Sequence, residues 1–343
     1  MNDIIEAEFK RSSEIVAKIE TSQIRKAADI LIASLKNGGQ IIFMGNGGSS
    51  ADAQHIAAEL SGRYAFDRPA MAGVCLSNIA PVTAIGNDYS YDIVFKRQIE
   101  AICRKGDVVV GMSTSGNSKN VILAMEAAKL KGAVTMSFTG DCGVLRDIVD
   151  HAVIIPTTET PRVQEGYLVA CHTMCGIVEY EMYGNKAVLV DRDGTIAADV
   201  PYCGDPSKIK LFPGVPEAIS KLNKAGYLVI IVTNQSGIGR GLVTEADVAK
   251  VHEKLKADIA AGGGRIDDIF FCPHHPDEKC NCRKPEIGMG VAAFMKHHIN
   301  PTQSCMIGDF DRDIEFGKKL GLKTYLVSDK MSFVDAIDDF LKN

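Results

Sequence analysis

Short apolar runs alternate along the chain with longer segments whose apolar residues recur at helical spacing. The runs are apolar at nearly every position and rich in β-branched residues, which is typical of parallel strands covered on both faces. The pattern predicts ten strands, at residues 40–45, 71–76, 107–113, 133–140, 151–156, 186–191, 227–234, 268–272, 304–309 and 323–328. Since helical segments fill the gaps, we predict an α/β fold with two doubly wound parallel sheets in tandem.

The boundary between the two halves is short. A predicted helix over residues 162–183 ends at Gly184-Asn185, and a new strand begins at Lys186. Glycine and asparagine commonly end helices. We therefore predict one domain over residues 1–184 and a second over residues 185–343. An amphipathic helix over about residues 3–35 is expected to serve as a packing element.

Composition narrows the class of protein. The 343 residues carry a net charge of −5, with no basic block for a nucleic-acid backbone and no apolar run of membrane-spanning length. The acidic N-terminal segment does not fit a secretory signal. We expect a cytoplasmic protein without nucleic-acid or membrane partners. Its ten cysteines lie mostly in apolar segments or beside histidines, so we expect them to be reduced.

The segment Asp191-Arg-Asp193-Gly-Thr195 directly follows a predicted strand. Two carboxylates in this place can divide the work of phosphoryl transfer. Asp191 would attack phosphorus and form an aspartyl-phosphate, and Asp193 would protonate the leaving oxygen and then activate water. A Mg²⁺ ion would neutralise carboxylate and phosphate together. The structural alternative is an ordinary Asp-Gly turn after a strand.

A loop further along the chain combines Cys272, Cys280 and Cys282 with two adjacent histidines, His274 and His275. Three thiolates and one imidazole form a closed tetrahedral site of the kind used for structural Zn²⁺. Four protein ligands leave no open position, so we expect this ion to shape the loop and not to react. The spacing alone leaves the choice of histidine open.

The C-terminal half resembles the haloacid-dehalogenase (HAD) superfamily over about residues 186–330. Four motifs carry this resemblance: residues 191–195, Thr233-Asn-Gln-Ser236, Arg283-Lys284-Pro285 and Gly308-Asp309 with Asp313. The resemblance implies a HAD-like Rossmannoid fold with a zinc loop. It implies Mg²⁺ ligation by Asp191, Asp193 and Asp309. It also implies phosphate or substrate contacts by Thr233, Asn234, Gln235, Ser236, Arg283 and Lys284, with Thr233 and Lys284 assisting catalysis.

The cysteine loop and residues 234–241 narrow the resemblance to the D,D-heptose 1,7-bisphosphate phosphatases and the related histidinol-phosphate phosphatases. The resemblance selects His274 as the fourth zinc ligand. It implies hydrolysis of the 1-phosphate of D-glycero-D-manno-heptose 1,7-bisphosphate. Histidinol phosphate is the alternative substrate, because the loop between His274 and Cys280 has the length of the histidinol type and Phe310 replaces a basic residue of many heptose enzymes.

The N-terminal half carries two small-residue loops after predicted strands, Gly45-Asn-Gly-Gly-Ser-Ser and Ser113-Thr-Ser-Gly-Asn-Ser118. Such loops let backbone N–H groups approach an anion at a helix N-terminus. The spacing is not Gly-x-Gly-x-x-Gly, and no acidic residue ends the second strand, which argues against a dinucleotide. We therefore predict phosphate binding, with a serine-rich helix cap as the alternative for the second loop.

Two residue pairs lie at helical spacing. His55 and Glu59 are four residues apart on one helix face, and Gln164 and His172 are separated by two turns plus about a quarter turn. The first pair could bind a metal or simply be solvated. His172 lies in an apolar stretch where a core histidine is the ordinary expectation.

Together these residues resemble the SIS-domain phosphoheptose isomerases over the whole half. The resemblance implies a flavodoxin-like domain with a zinc and catalytic cluster formed by His55, Glu59, Gln164 and His172. Glu59 would be the base and His172 the acid in converting sedoheptulose 7-phosphate to D-glycero-D-manno-heptose 7-phosphate through an enediolate. Matching substrate-binding positions are Asn46, Gly47, Gly48, Glu59, Asn87, Asp88, Ser113, Thr114, Ser115, Ser118 and Gln164.

The two resemblances imply a bifunctional enzyme of nucleotide-activated heptose synthesis. The family assembles its sites between subunits, which implies a homo-oligomer, a tetramer formed through the SIS domain. An alternative hypothesis makes the first half a sugar-phosphate sensor that regulates the phosphatase. The zinc and acid–base set argues against a sensor, because sensing needs no such residues.

Overall fold

The structure, a computed structural model, describes residues 2–342, so the outermost residues of the two predicted domains, 1 and 343, lie outside the described residues. The chain divides into two compact units, Met1–Met182 and Tyr183–Asn343. Both units are α/β, and the predicted class of two parallel sheets in tandem is confirmed.

Residues 2–182 form a five-stranded parallel sheet with the order β2-β1-β3-β4-β5. Its strands are β1 (Ile41–Gly45), β2 (Gly73–Cys75), β3 (Val108–Ser113), β4 (Val134–Gly140) and β5 (His151–Ile155). The helices are α1 (Asn2–Val16), α2 (Thr21–Lys36), α3 (Gly48–Ser61), α4 (Ile79–Asp88), α5 (Val94–Ile102), α6 (Lys119–Leu130), α7 (Leu145–Ile148) and α8 (Thr160–Tyr183).

Residues 183–342 form a second five-stranded parallel sheet with the order β10-β9-β6-β7-β8. Its strands are β6 (Ala187–Val190), β7 (Leu228–Asn234), β8 (Asp268–Cys272), β9 (Cys305–Gly308) and β10 (Lys323–Leu326). The helices are α9 (Val215–Lys224), α10 (Glu245–Ala261), α11 (Gly288–His297), α12 (Asp311–Lys319) and α13 (Phe333–Phe340). Short 3-10 turns span Tyr91–Ile93, Pro206–Lys208, Pro276–Glu278 and Pro301–Gln303.

The strand orders locate the places where ligands are expected to bind. In the first sheet the order reverses between β1 and β3, and in the second it reverses between β6 and β9. In open parallel sheets a crevice opens at such a reversal, outside the carboxyl ends of the strands. The glycine loop (residues 45–50) and the serine loop (residues 113–118) follow β1 and β3, whereas Asp191 and Asp309 follow β6 and β9.

All ten predicted strands occur within residues 2–342, most of them shortened by one or two residues at an end. The greatest shortening is at β2, an edge strand that is only partly buried. The single helix predicted over residues 3–35 is wrong. Ile19 is buried and Glu20 takes an extended backbone, so the chain turns after α1 and restarts at Thr21.

Within residues 2–342, every helix is too short or too polar to cross a lipid bilayer.

The core on one face of the first sheet depends on a glycine in the middle of β3. All six residues of β3 are buried, and Gly111 packs directly against α6. A Cβ atom at this position would lie 2.7 Å from Val121 Cγ1 and would overlap the methyl group of Met125. Because valine is stiff at χ1, the helix would have to move to accept it.

We expect Gly111→Ala to destabilise the N-terminal unit by about 1–3 kcal/mol through overpacking. Gly86→Ala is the matched control, because a Cβ atom there meets only Val94 Cγ1 at 3.8 Å and lies within a helix. Differential scanning calorimetry should show one transition moved to lower temperature in the first variant only. Equal transition temperatures in both variants would contradict this packing argument.

Candidate active sites

In the N-terminal unit, α3 and α8 bring two histidines and a carboxylate together. His55 Nε2 lies 3.0 Å from Glu59 Oε1 and 3.4 Å from His172 Nε2. The ligand atoms of all three residues lie within 4.8 Å of one another. Two imidazoles and one carboxylate are a ligand set that catalytic zinc sites use with one position left open. The cluster could therefore hold a zinc ion.

Gln164 lies on α8, two turns before His172. A Cβ atom added to Gly48 would overlap the amide of Gln164, so this side chain packs against the first turn of α3. On the same helix, the hydroxyl of Tyr167 lies 2.6 Å from Ser49 Oγ. Gln164 thus borders the glycine loop, and its predicted role as a zinc ligand stays a prediction.

The two predicted phosphate loops meet at the reversal between β1 and β3. Asn46 and Asn120 exchange hydrogen bonds of 2.9 Å, which link the glycine loop to the first turn of α6. Tyr91 donates a hydrogen bond of 2.9 Å to Asn46 Oδ1. Across the serine loop, Ser113 Oγ and Ser118 Oγ are 2.9 Å apart. The hydroxyls and the helix N-terminus suit an anionic group.

The other predicted substrate residues of this unit lie within these loops or at the end of α4. Gly47 has a φ of 54°, which is a backbone conformation that favours glycine. Ser115 Oγ accepts a hydrogen bond from the Asn117 N–H, so the serine loop is internally braced. Thr114 lies between Ser113 and Ser115 in the same loop. Asn87 donates to Asp88 Oδ1 at 2.9 Å, and this pair lies at the end of α4.

In the C-terminal unit, three buried or partly buried carboxylates converge around one lysine. The ligand atoms of Asp191, Asp309 and Asp313 lie within 4.8 Å of one another. The Lys284 ammonium lies 2.9 Å from Asp191 Oδ1 and 2.7 Å from Asp313 Oδ1. Burial and the charge of Asp191 raise the pKa of Asp309 to about 6. This excess of buried negative charge fits a divalent cation such as Mg²⁺.

The carboxylate of Asp193 points into a different set of partners. It accepts hydrogen bonds from Arg192 Nε at 3.0 Å, from Arg192 Nη2 at 2.7 Å and from Gln235 Nε2 at 3.0 Å. The structure therefore groups Asp313, and not the side chain of Asp193, with the other two acids. Burial raises the pKa of Asp193 although Arg192 opposes the shift. A raised pKa suits a group that must deliver a proton.

The remaining predicted residues of this unit line a cleft of 310 Å³ beside Asp191. Thr233 Oγ1 accepts a hydrogen bond of 2.9 Å from Gln235. The Asn234 side chain accepts a hydrogen bond from the Lys284 N–H and donates one to the Lys284 carbonyl, which fixes the lysine backbone. The cleft is lined by Asp191, Asp193, Thr233, Asn234, Gln235, Ser236 and Arg283 among others. Arg283 Nη1 is buried without a hydrogen-bond partner among the described residues.

The four predicted ligands of the zinc loop also come together. The distance between Cys272 Sγ and Cys280 Sγ is 3.5 Å, and His274 Nδ1 lies 3.2 Å from Cys282 Sγ. A tetrahedral zinc ion with Zn–S bonds of about 2.3 Å spaces its sulfur ligands about 3.8 Å apart, so the cluster could hold zinc. His275 turns away and accepts a hydrogen bond from the Asp277 N–H.

Several residues at these sites escaped the sequence analysis. Arg192 is 1% exposed and joins Asp193 and Gln235 to His252 Nε2, which lies 3.2 Å from Arg192 Nη1. Thr195 donates a hydrogen bond to Asp309 Oδ1 at 3.1 Å. For Arg192, its place in the sequence between Asp191 and Asp193 could have indicated a role at the site. His252 sits in the middle of an amphipathic helix and gave no signal.

Comparison with known proteins matches a different protein family to each of the two units. The SIS domain family matches residues 6–140, and the HAD-hydrolase-like family matches residues 281–333. The chain is 48% identical over 185 residues to the phosphoheptose isomerase of Helicobacter hepaticus. The aligned residues make up 53% of this chain and 94% of that protein.

Two solved structures extend the comparison. A phosphoheptose isomerase from Francisella tularensis is 28% identical, with a TM-score of 0.50, over 51% of this chain and 96% of its own. A D,D-heptose 1,7-bisphosphate phosphatase from B. bronchiseptica, complexed with magnesium and phosphate, is 28% identical, with a TM-score of 0.43, over 46% of this chain and 98% of its own.

His252 should make the protein less stable in mild acid. Burial and the charge of Arg192 lower the pKa of His252 to about 3, below its ordinary 6.5. Between these values the unfolded chain binds one proton that the folded chain does not. The free energy of unfolding therefore falls by up to about 1.4 kcal/mol per pH unit as pH drops from 6.5 towards 3.

Urea unfolding followed by circular dichroism from pH 6.5 to 4.5 tests this expectation. His252→Gln removes the titrating group and should flatten the pH dependence, whatever it does to stability at pH 7. Identical slopes in the variant and the wild type would mean that another group is responsible.

The adjacent histidines of the zinc loop form a matched pair for a metal test. We expect His274→Asn to lose one zinc ion per chain, because it removes a ligand at the cluster. His275→Asn should retain the ion, because His275 points away. Elemental analysis of dialysed protein gives the count, and retention by both variants would show that His274 is not a ligand.

Proposed function

Through its N-terminal half this chain belongs to the phosphoheptose isomerase family, and from that premise we propose that this half converts sedoheptulose 7-phosphate to D-glycero-D-manno-heptose 7-phosphate. The observation that carries the proposal is the convergence of His55, Glu59 and His172 within the unit that also holds two loops suited to an anion. A sugar phosphate needs both features, one for the reacting carbons and one for its phosphate.

The residues divide the isomerisation between them. Glu59 removes the proton from C1 or C2 of the sugar, and His172 exchanges protons with the sugar oxygens as the carbonyl moves. A zinc ion held by His55, Glu59 and His172 would polarise the carbonyl oxygen and stabilise the charge that develops there. The loops at Asn46–Gly48 and Ser113–Ser118 hold the phosphate and so fix which carbons face Glu59.

We propose that the C-terminal half hydrolyses the 1-phosphate of D-glycero-D-manno-heptose 1,7-bisphosphate. The match of residues 281–333 to HAD-like hydrolases supports this, as does the grouping of Asp191, Lys284 and Asp309 at one sheet edge. An Asp191 oxygen bonds to phosphorus as the bond from phosphorus to the sugar oxygen breaks, and Asp193 gives that oxygen a proton. Asp193 then takes a proton from water, which releases phosphate and restores Asp191.

The cofactors follow from the same assignments. Mg²⁺ held by Asp191 and Asp309, the two predicted ligands whose side chains converge, would neutralise the charge of the phosphoryl group, and zinc at the cysteine loop would shape the substrate cleft. The domain bounds of 1–184 and 185–343 and a cytoplasmic location belong to this proposal. So does a homotetramer through the SIS domain, for which the exposed Ile4, Ile5 and Phe9 of α1 offer an apolar surface.

One pair of variants tests both activities in one chain. Glu59→Gln should lower isomerisation about 10²- to 10⁴-fold by removing the base, and should leave phosphate release unchanged. Asp191→Asn should abolish phosphate release by removing the nucleophile, and should leave isomerisation unchanged. NMR of the aldoheptose phosphate and colorimetric phosphate release, measured on both proteins, make each variant the control for the other.

Wild-type protein that releases phosphate but does not isomerise would overturn the proposal for the N-terminal half. Faster phosphate release from histidinol phosphate than from either anomer of the heptose bisphosphate would overturn the assigned substrate of the C-terminal half.

A further inference from the structure

A fully buried ion pair lies next to the histidine and glutamate cluster of the N-terminal unit. The side chains of Arg68 and Glu179 are 1% and 0% exposed, and Arg68 Nε lies 2.9 Å from Glu179 Oε1. Glu179 also accepts hydrogen bonds from the backbone N–H groups of Tyr64, at 2.9 Å, and Ala65, at 2.6 Å. Both carboxylate oxygens are thus satisfied inside the protein.

The other end of Arg68 holds the last turn of α3. Nη2 donates to the Glu59 carbonyl and Nη1 to the Leu60 carbonyl, each at 2.7 Å. The last carbonyls of a helix lack intrahelical partners, so a buried arginine that satisfies them fixes the helix end. One of the two carbonyls belongs to Glu59 itself, the proposed base, and His55 lies one turn earlier on the same helix.

Glu179 holds the opposite helix in register with the cluster. It lies seven residues after His172 on α8, which is about 20° short of two full turns and about 10.5 Å along the axis. His172 and Glu179 therefore lie on the same face of α8. That face of α8 faces α3 at two places. At His172 it contacts His55 of the cluster, and two turns further along α8, at Glu179, it binds Arg68, which holds the end of α3.

Tyr64 connects the ion pair to the ring of His172. Its N–H is bound by Glu179, while its ring centroid lies 5.8 Å from that of His172. Gly176, midway between His172 and Glu179 on α8, leaves room for this ring, because a Cβ atom there would lie 3.1 Å from Tyr64 Cε1. The Glu179 carboxylate thus fixes the backbone of Tyr64, whose ring lies beside that of His172.

Burying two charges costs free energy that pairing only partly returns, so a buried pair is weak evidence of a stabilising role. The pair is better suited to fixing geometry, since the planar guanidinium fork sets both the direction and the distance of the groups that it binds. We propose that Arg68 and Glu179 are positioning residues for the metal cluster, setting the spacing of α3 and α8 and, through Tyr64, the orientation of His172. This inference rests on the proposed isomerase function of the unit.

The test uses Glu179→Gln and Arg68→Lys in the full chain. We expect both variants to bind zinc at the cluster about 10- to 100-fold more weakly than the wild type, as loss of supporting partners around a metal site does. Chelator competition with the thiol loop already filled measures the affinity. In metal-free protein labelled with ¹³C-histidine, the ring signals of His172, assigned with His172→Gln, should also move.

Asp107→Asn is the matched control for loss of a buried carboxylate. Asp107 is 3% exposed and accepts hydrogen bonds from the N–H groups of Gln40 and Arg104 at the amino end of β3, and neither of these partners belongs to the cluster. It should lower the unfolding temperature while leaving zinc affinity and the His172 signals unchanged. Arg68→Lys separates charge from geometry, because it keeps the charge and removes the fork.

The outcomes distinguish this inference from the proposed function. Wild-type isomerisation together with unchanged zinc affinity and His172 signals in Glu179→Gln and Arg68→Lys would make the pair merely structural and overturn the inference alone. Weakened zinc binding in these variants, beside a wild type that never isomerises, would support the positioning role and overturn the function. A wild type that binds zinc only at the thiol loop would overturn both.

Discussion

Parallel strands in one sheet all end at the same edge, and this constraint determines where each unit places the loops that follow its strands. Where the strand order reverses, right-handed crossovers send the following helices to opposite faces and the loops diverge. The glycine and serine loops occupy that crevice in the first unit, and Asp191 and Asp309 occupy it in the second. Residues far apart in sequence become neighbours because their strands are neighbours, as Asn46 and Asn120 show.

The two sites differ in how far their charged groups are exposed to solvent. In the first unit the His55 side chain is 45% exposed, so solvent helps to support the cluster. In the second unit Asp191 and Asp313 are almost fully buried, and the Lys284 ammonium lies between them as a counter-charge. Ionised carboxylates in such a place are costly unless a cation joins them. The second site is therefore suited to a reaction that begins by assembling a metal ion and a phosphate.

The strands were predictable because burial on both faces makes them continuously apolar, as in Val108–Ser113. Motifs that follow strands were predictable for the same reason, since the sheet edge brings them together. The turn between α1 and α2 was not, because it depends on the tertiary packing of Ile19. The closing acidic motif already placed Asp313 at the site, but no sequence pattern predicts that the Asp193 carboxylate turns to Arg192 and Gln235 instead. The partnership of Arg68 with Glu179 joins residues 111 positions apart and leaves no local pattern.

Each unit places a buried arginine beside the residue proposed to move a proton, Arg68 at Glu59 and Arg192 at Asp193. Neither arginine needs to contact the substrate to influence the orientation of the neighbouring acid. A guanidinium cannot lose its charge and presents donors in a fixed plane, so it holds a carboxylate or a carbonyl in one orientation. Lys284, a compact point charge, lies instead among the acids that would meet phosphate. The chain thus uses arginine where direction must be fixed and lysine where charge must be supplied.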